Sequence, residues 1–308
     1  MRTGFLVIDK ETGERSTACV SAVKRIVGRN IRVGHGGTLD STACGILVIL
    51  VGRATRASRY VMALPKTYRA TVRFGLRTST DDISGETVEE HDAGHLDNEM
   101  IDRAILSFLG LRDQIPPSIS AVRISGERSH ELARRGEKVA IPPRPVMITS
   151  IKRINSISHA MEVKLYIRCH MGTYVRSLVR DLGEDLGCGA TVLALERTSI
   201  GPFSRKASIS SALLGDTGID HLENRIIPVS EICGGYTTYR VDPSMNLALL
   251  SGRPVPMDRL VRISWGGALS ENIILILGEK FVSFASISNI DGFPSAIPVT
   301  TIKTGDVE

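Results

Sequence analysis

Residues Ile46-Leu-Val-Ile-Leu-Val51 form an unbroken apolar run between Gly45 and Gly52. Its length and β-branching are those of a strand buried on both faces, since a half-exposed strand alternates and a bilayer span needs roughly 20 residues. Such a strand must be surrounded, and 308 residues with 42% apolar composition can build the core to do it. No apolar run reaches spanning length, and the N-terminus meets Asp9 too early for a secretory leader, so a cytoplasmic protein is expected.

Other elements are legible around this strand. Gly4-Phe-Leu-Val-Ile8 predicts a second short buried strand ending in turn chemistry at Glu11-Thr12-Gly13. Val20, Val23, Ile26 and Val27 share one face of a helix that Ser16 or Thr17 can cap. Tyr68 to Phe74 reads as a strand, and Met100, Ile101, Ala104, Ile105, Phe108 and Leu109 as an amphipathic helix capped near Asp97 or Asn98. The clearest alternation places Met161, Val163, Leu165, Ile167 and Cys169 between polar partners, which predicts a half-buried antiparallel strand. Val175, Leu178, Val179, Leu182 and Leu186 then form a helical stripe stopping at Gly187-Cys-Gly189, with Tyr174 and Arg176 outside it. From about residue 235 short apolar runs such as Ile273 to Leu277 predict a β-rich module, preceded by a linker around Gly215 to Asn224. Periodicity alone gives an α/β mixture with a β-rich tail.

Charge narrows the class of partner. The net charge is +5 and the pI near 9.0, which suits a polyanion. Between Arg15 and Thr80 stand twelve Lys or Arg residues, with Asp40 the single carboxylate. Nearby cations favour its ionised form, the form a nucleophile or base requires. The five scattered cysteines lack ligand or redox spacing, and no second His or Cys accompanies His35 at ligand distance, so no metal is expected.

Six segments, in order, carry a resemblance. They are Gly34-His-Gly-Gly-Thr-Leu-Asp-Ser-Thr-Ala-Cys-Gly45 with Gly52-Arg-Ala-Thr55, Lys66-Thr-Tyr68, Gly75 to Asp82 with Gly85, Pro116 to Ala121, Gly172-Thr-Tyr-Val-Arg-Ser177, and Leu195 to Phe203. Together they resemble the TruB-type tRNA pseudouridine synthases over most of the first 230 residues. The resemblance implies an α+β pseudouridine synthase fold: a long mixed, mainly antiparallel sheet with flanking helices, over residues 1–230. An RNA-clasping insertion near 115–145 and a small β-rich PUA-like RNA-binding domain over 231–308 would complete it. The implied reaction isomerises a T-loop uridine (position 55) of tRNA to pseudouridine without a cofactor. The expected partner is the tRNA T-arm, with no membrane, no obligate protein partner, and a monomeric enzyme.

By the same resemblance Asp40 is the catalytic aspartate. It would either add covalently to the substrate or remove a sugar proton. Tyr68 would stack on the base and Arg176 would pair with the carboxylate. Tyr174 and Leu195 would line the uracil pocket, and His35 would fill the gap left by the flipped base. Arg53, Arg56 and Arg59 recur every third residue and can meet phosphates from one side of a helix. The segment Arg123 to Arg144 holds six bases against three acids and His130. Departures from the family pattern are Ser41 and Glu11-Thr12 where proline is usual, Glu196 where arginine is common, and His130 where tyrosine is frequent. Rival readings are a tRNA-folding chaperone with isomerisation secondary, the same chemistry on another RNA, and a glycosidase, which would need a second acid beside Asp40.

Overall fold

β1 (Gly4–Lys10), helix α1 (Ser16–Val27), β2 (Val33–His35) and β3 (Ala43–Val51) open the chain. Both β1 and β2 run antiparallel to β3, with Gly4 opposite Val51 and His35 opposite Ile49. Residues Leu47 to Val51 are all 0% exposed, the double-sided burial that the apolar run demands. Leu47, Ile49 and Val51 pack with Cys19, Val23 and Val27 of α1. Val48 and Leu50 face the other way, into a core with Phe5, Tyr60 and Phe203. A 3₁₀ segment, Gly52–Ala57, then leads into α2 (Ser58–Ala63).

The computed structural model describes residues 2–119, 123–124, 127–128, 141–266 and 273–304. The chain divides into two units, the first comprising Met1–Pro65 and Thr198–Glu308 and the second Lys66–Arg197.

In the second unit come β4 (Lys66–Phe74), β5 (Leu76–Thr78), β6 (Thr87–Glu90), α3 (Asn98–Leu106) and β7 (Gly110–Gln114). The Asp97 carboxylate caps α3, accepting the Met100 N–H at 2.8 Å. After the short ladder of β8 (Arg123–Ile124) and β9 (Glu127–Arg128) come β10 (Arg144–Arg153), β11 (Glu162–Cys169), α4 (Val175–Asp185) and β12 (Ala190–Ile200). The sheet order here is β12-β4-β11-β10-β7. Along β11, Val163, Leu165, Ile167 and Cys169 are buried while Lys164 and Arg168 are exposed, so the alternation sorts as predicted. Met161 falls outside the strand, in a turn with φ of +56°. Most of the expected RNA-clasping insertion, His130 included, lies outside the described residues.

The first unit resumes with β13 (Phe203–Ser204), β14 (Ser208–Ser210), α5 (Ile219–Asn224) and β15 (Ile227–Pro228). β14 is parallel to β1 and β15 antiparallel to it, which makes the sheet mixed. The predicted linker around 215–224 is instead packed: flanking Leu214 and, within it, Leu222 join the core of Leu6 and Val23. Burial of an apolar side chain at each end ties the segment down, which composition alone did not reveal. Then follow β16 (Thr238–Val241), α6 (Asn246–Leu250), β17 (Val255–Pro256), β18 (Leu260–Ser264), β19 (Ile273–Leu277), β20 (Phe281–Ile290) and β21 (Phe293–Lys303). They form a six-stranded sheet in the order β17-β21-β20-β19-β16-β18. This β-rich tail shares a core with the start of the chain: Phe284 stacks on Tyr60 at 3.6 Å between centroids, and the Tyr236 hydroxyl donates to the Tyr60 carbonyl at 2.6 Å.

Candidate active site

Asp40 stands half-buried in the connection between β2 and β3. The chain leaves β2 through Gly36, where a β-carbon would collide with the Val61 side chain, and Gly37, whose φ of +120° few side chains tolerate. The Gly37 N–H donates to Nδ1 of His35 at 3.3 Å, so a neutral ring carries its proton on Nε2. Leu39 is held on both sides by one hydroxyl: Ser16 Oγ accepts its N–H and donates to its carbonyl, each at 2.9 Å. Next along the chain, the Asp40 carbonyl accepts the Ala43 N–H at 3.1 Å and the Ser41 carbonyl accepts the Gly13 N–H at 2.7 Å.

Lys10 anchors the same connection from beneath. It is 1% exposed, and its ammonium donates to the carbonyls of Ala43 (2.6 Å), Glu11 (2.8 Å) and Glu14 (2.9 Å). A buried ammonium is tolerable only when its donors are satisfied, and three acceptors match three donors. Glu11 also explains one departure from the proline pattern, because its N–H donates to the Ser211 hydroxyl at 3.0 Å, a bond proline lacks. Ser16 begins α1 without capping it; the N-cap is Arg15, with no side-chain bond. The hydroxyl that local sequence offers to the helix is taken by Leu39 instead.

The second unit holds Tyr68, Tyr174, Arg176 and Leu195. Tyr68 lies in β4 opposite Ile167 of β11, 9% exposed, and Leu195 is half-buried on the neighbouring β12. Tyr174 is the N-cap of α4, its backbone clamped by the amide of buried Gln114, which accepts its N–H at 2.8 Å and donates to its carbonyl at 3.1 Å. Arg176, placed outside the packed stripe by periodicity, is in fact 4% exposed. Its guanidinium donates to the carbonyls of Thr80 (3.0 Å) and Ile119 (3.1 Å) and lies 3.8 Å from the Asp82 carboxylate. Those polar partners make burial of the charge affordable. Burial pushes the Asp82 carboxyl up, but hydrogen bonds from Ser84 and Thr80 and the charge of Arg176 outweigh it, leaving the carboxyl below its usual range. One turn on, Arg180 bonds Asp81, Asp181 and the Ile115 carbonyl.

Burial, and then the charge of buried Arg197, bring Lys66 down to about 7. The sequence pattern marked Ser16 only as a helix cap, and it marked none of Lys10, Gln114, Asp82 or Arg180 as a support of the site. Asp82 at least sat within a quoted motif.

Arg53, Arg56 and Arg59 are all exposed, separated by buried Ala54 and Ala57, because a 3₁₀ segment brings every third side chain to one side. Arg53 and Arg56 line a groove of about 450 Å³ with Leu249, Gly252, Thr300 and Lys303. Arg59 turns to Tyr60 and Thr300. Three cations along one polar groove suit a phosphate backbone. Among the described residues no helix is long and apolar enough to cross a membrane.

Known proteins bear on this geometry. Residues 24–175 match the model of the TruB family pseudouridylate synthase N-terminal domain, and residues 176–232 that of the tRNA pseudouridylate synthase B C-terminal domain. The chain is 40% identical to tRNA pseudouridine synthase B of Gloeobacter violaceus over 257 residues, 83% of this chain and 87% of the relative. With the Thermotoga maritima protein of the same name it shares 36% over 280 residues, 91% and 88% of the two chains. A solved structure of a Cbf5-Nop10-Gar1 complex has a chain similar in fold, with a TM-score of 0.69 at 21% identity, covering 96% of this chain and 83% of that one.

Proposed function

Because this chain belongs to the TruB family of pseudouridylate synthases, we propose that it converts a T-loop uridine of tRNA to pseudouridine, with Asp40 as the reacting carboxylate and no cofactor. The observation that carries the assignment of Asp40 is its setting: one carboxylate in a cationic stretch, on a connection whose main chain is tied on either side of it. A carboxylate that must meet a sugar carbon needs a fixed backbone more than a strong base, since orientation supplies much of the rate.

The reaction breaks the N1 to C1′ bond, turns the uracil and forms a C5 to C1′ bond, with no net redox change. Asp40 serves either by adding to the substrate or by taking a sugar proton. Tyr68 stacks on the base and assists loss of the C5 proton, Arg176 keeps the carboxylate ionised, and Tyr174 and Leu195 wall the uracil. His35, the last residue of β2 before the connection that carries Asp40, fills the vacated stack. Arg53 and Arg56 take phosphates, which predicts binding that weakens with salt.

The test is tritium release from tRNA labelled at uracil C5, with the modified position mapped. Wild type should release tritium and leave pseudouridine in the T-loop, and Asp40→Asn should be slower by about a thousandfold or more. Salt-sensitive tRNA binding without release by wild type would favour a folding chaperone instead.

A further inference from the structure

We propose that Ser16 is a positioning residue for Asp40, acting through the main chain of Leu39. This rests on the reading of Asp40 as the reacting carboxylate. The Ser16 side chain is 3% exposed, and its hydroxyl meets both polar groups of Leu39 at 2.9 Å, as a neighbouring strand would. Leu39 is the residue before Asp40 and is itself 5% exposed. The one hydroxyl donates once and accepts once, both times with that residue.

Three features make the role one of positioning rather than general packing. The bonds join residues 23 apart in sequence, so they fix the connection against α1, not the helix against itself. Further ties, Gly13 N–H to the Ser41 carbonyl and the Lys10 ammonium to the Ala43 carbonyl, hold the residues beyond Asp40, leaving Ser16 to hold the residue before it. Position 41 is serine, not proline, so the connection has no ring to stiffen it just past the carboxylate. Stiffness here comes from long-range bonds to the segment Lys10 to Ser16.

Displacement of a reacting group by about 1 Å can cost a hundredfold in rate. Ser16→Ala removes both bonds and leaves a buried N–H and carbonyl of Leu39 unmatched. The experiment measures kcat and KM for tritium release by the full chain, the tRNA dissociation constant, and backbone hydrogen exchange. Ser16→Cys, which is slightly larger and replaces the hydroxyl with a weaker donor and acceptor, is the second variant should Ser16→Ala fold poorly.

The expected result is a kcat lower by about tenfold to a hundredfold, with KM and the dissociation constant within about twofold. Exchange should quicken at residues 38–42 while β1 and β3 stay protected. Unchanged kcat in both variants overturns the proposal, as does a fall in kcat matched by weaker tRNA binding and faster exchange across β1 and β3. Asp40→Asn is assayed in parallel. Full activity there sinks the catalytic reading of Asp40, whereas loss there with full activity in the Ser16 variants sinks only the positioning role.

Discussion

Two acidic connections in this molecule are held by different chemistry. Around Asp40 the observed ties end on main-chain atoms: the Leu39 N–H and carbonyl, the carbonyls of Asp40, Ser41 and Ala43. Around Asp82 the ties run through charge: Arg176 and Arg180 grip the turn from α4, and the Asp82 carboxylate itself accepts Thr80 and Ser84. Asp82 is a structural acid, consumed by its own turn. The connection that carries Asp40 is tied through its main chain, to the segment Lys10 to Ser16.

The difference can be broken first at Arg176. Arg176→Ala leaves Asp82 without its buried cation and strips the Thr80 and Ile119 carbonyls, so unfolding should move by about 3–5 kcal/mol, measured by denaturant titration. Replacing Lys10 tests the main-chain brace. Lys10→Met takes the ammonium from three carbonyls, of which that of Ala43 is buried, and a loss of about 1–3 kcal/mol is expected, with the same titration as the check.

A pH series sharpens the contrast further. The folded Asp82 carboxyl lies below its unfolded value, so the folded chain binds fewer protons. Its contribution is present above the unfolded pKa and lost as pH falls through the folded one. Asp82→Asn should therefore flatten the acid limb of the stability curve, and an unaltered limb would refute the structural role. Asp81 should behave oppositely, because burial raises its carboxyl despite Arg180 and Arg176. The smallest expected effect belongs to the exposed cations: Arg53→Ala should lower the slope of log affinity against log salt by about 1 and change stability little.

Much of the fold was legible because the core strands write their burial into local pattern. The unbroken run became β3, the alternation became β11, and Asp97 caps α3 where a cap was expected. Of the candidate site, the motif strings holding Asp40, His35, Tyr68, Tyr174 and Arg176 can be read from the sequence. Their supports cannot. Gln114 reaches Tyr174 across 60 residues, and Ser16 reaches Leu39 across 23.

Arg176 shows what the helical period does not reach. Spacing put it off the packed stripe, but burial at the first turn of α4 comes from the polar carbonyls of two distant turns, which no hydrophobic count includes. What the sequence by itself determined is therefore the family, the buried strand and the acid that its cationic stretch surrounds, all set by residues near one another in the chain. Tertiary structure alone decided that Ser16 serves Leu39 instead of its helix, that Leu222 packs rather than links, and that Tyr60 stacks on Phe284. Those choices depend on partners brought close only by folding, and a bond between distant residues leaves no period in the sequence to read.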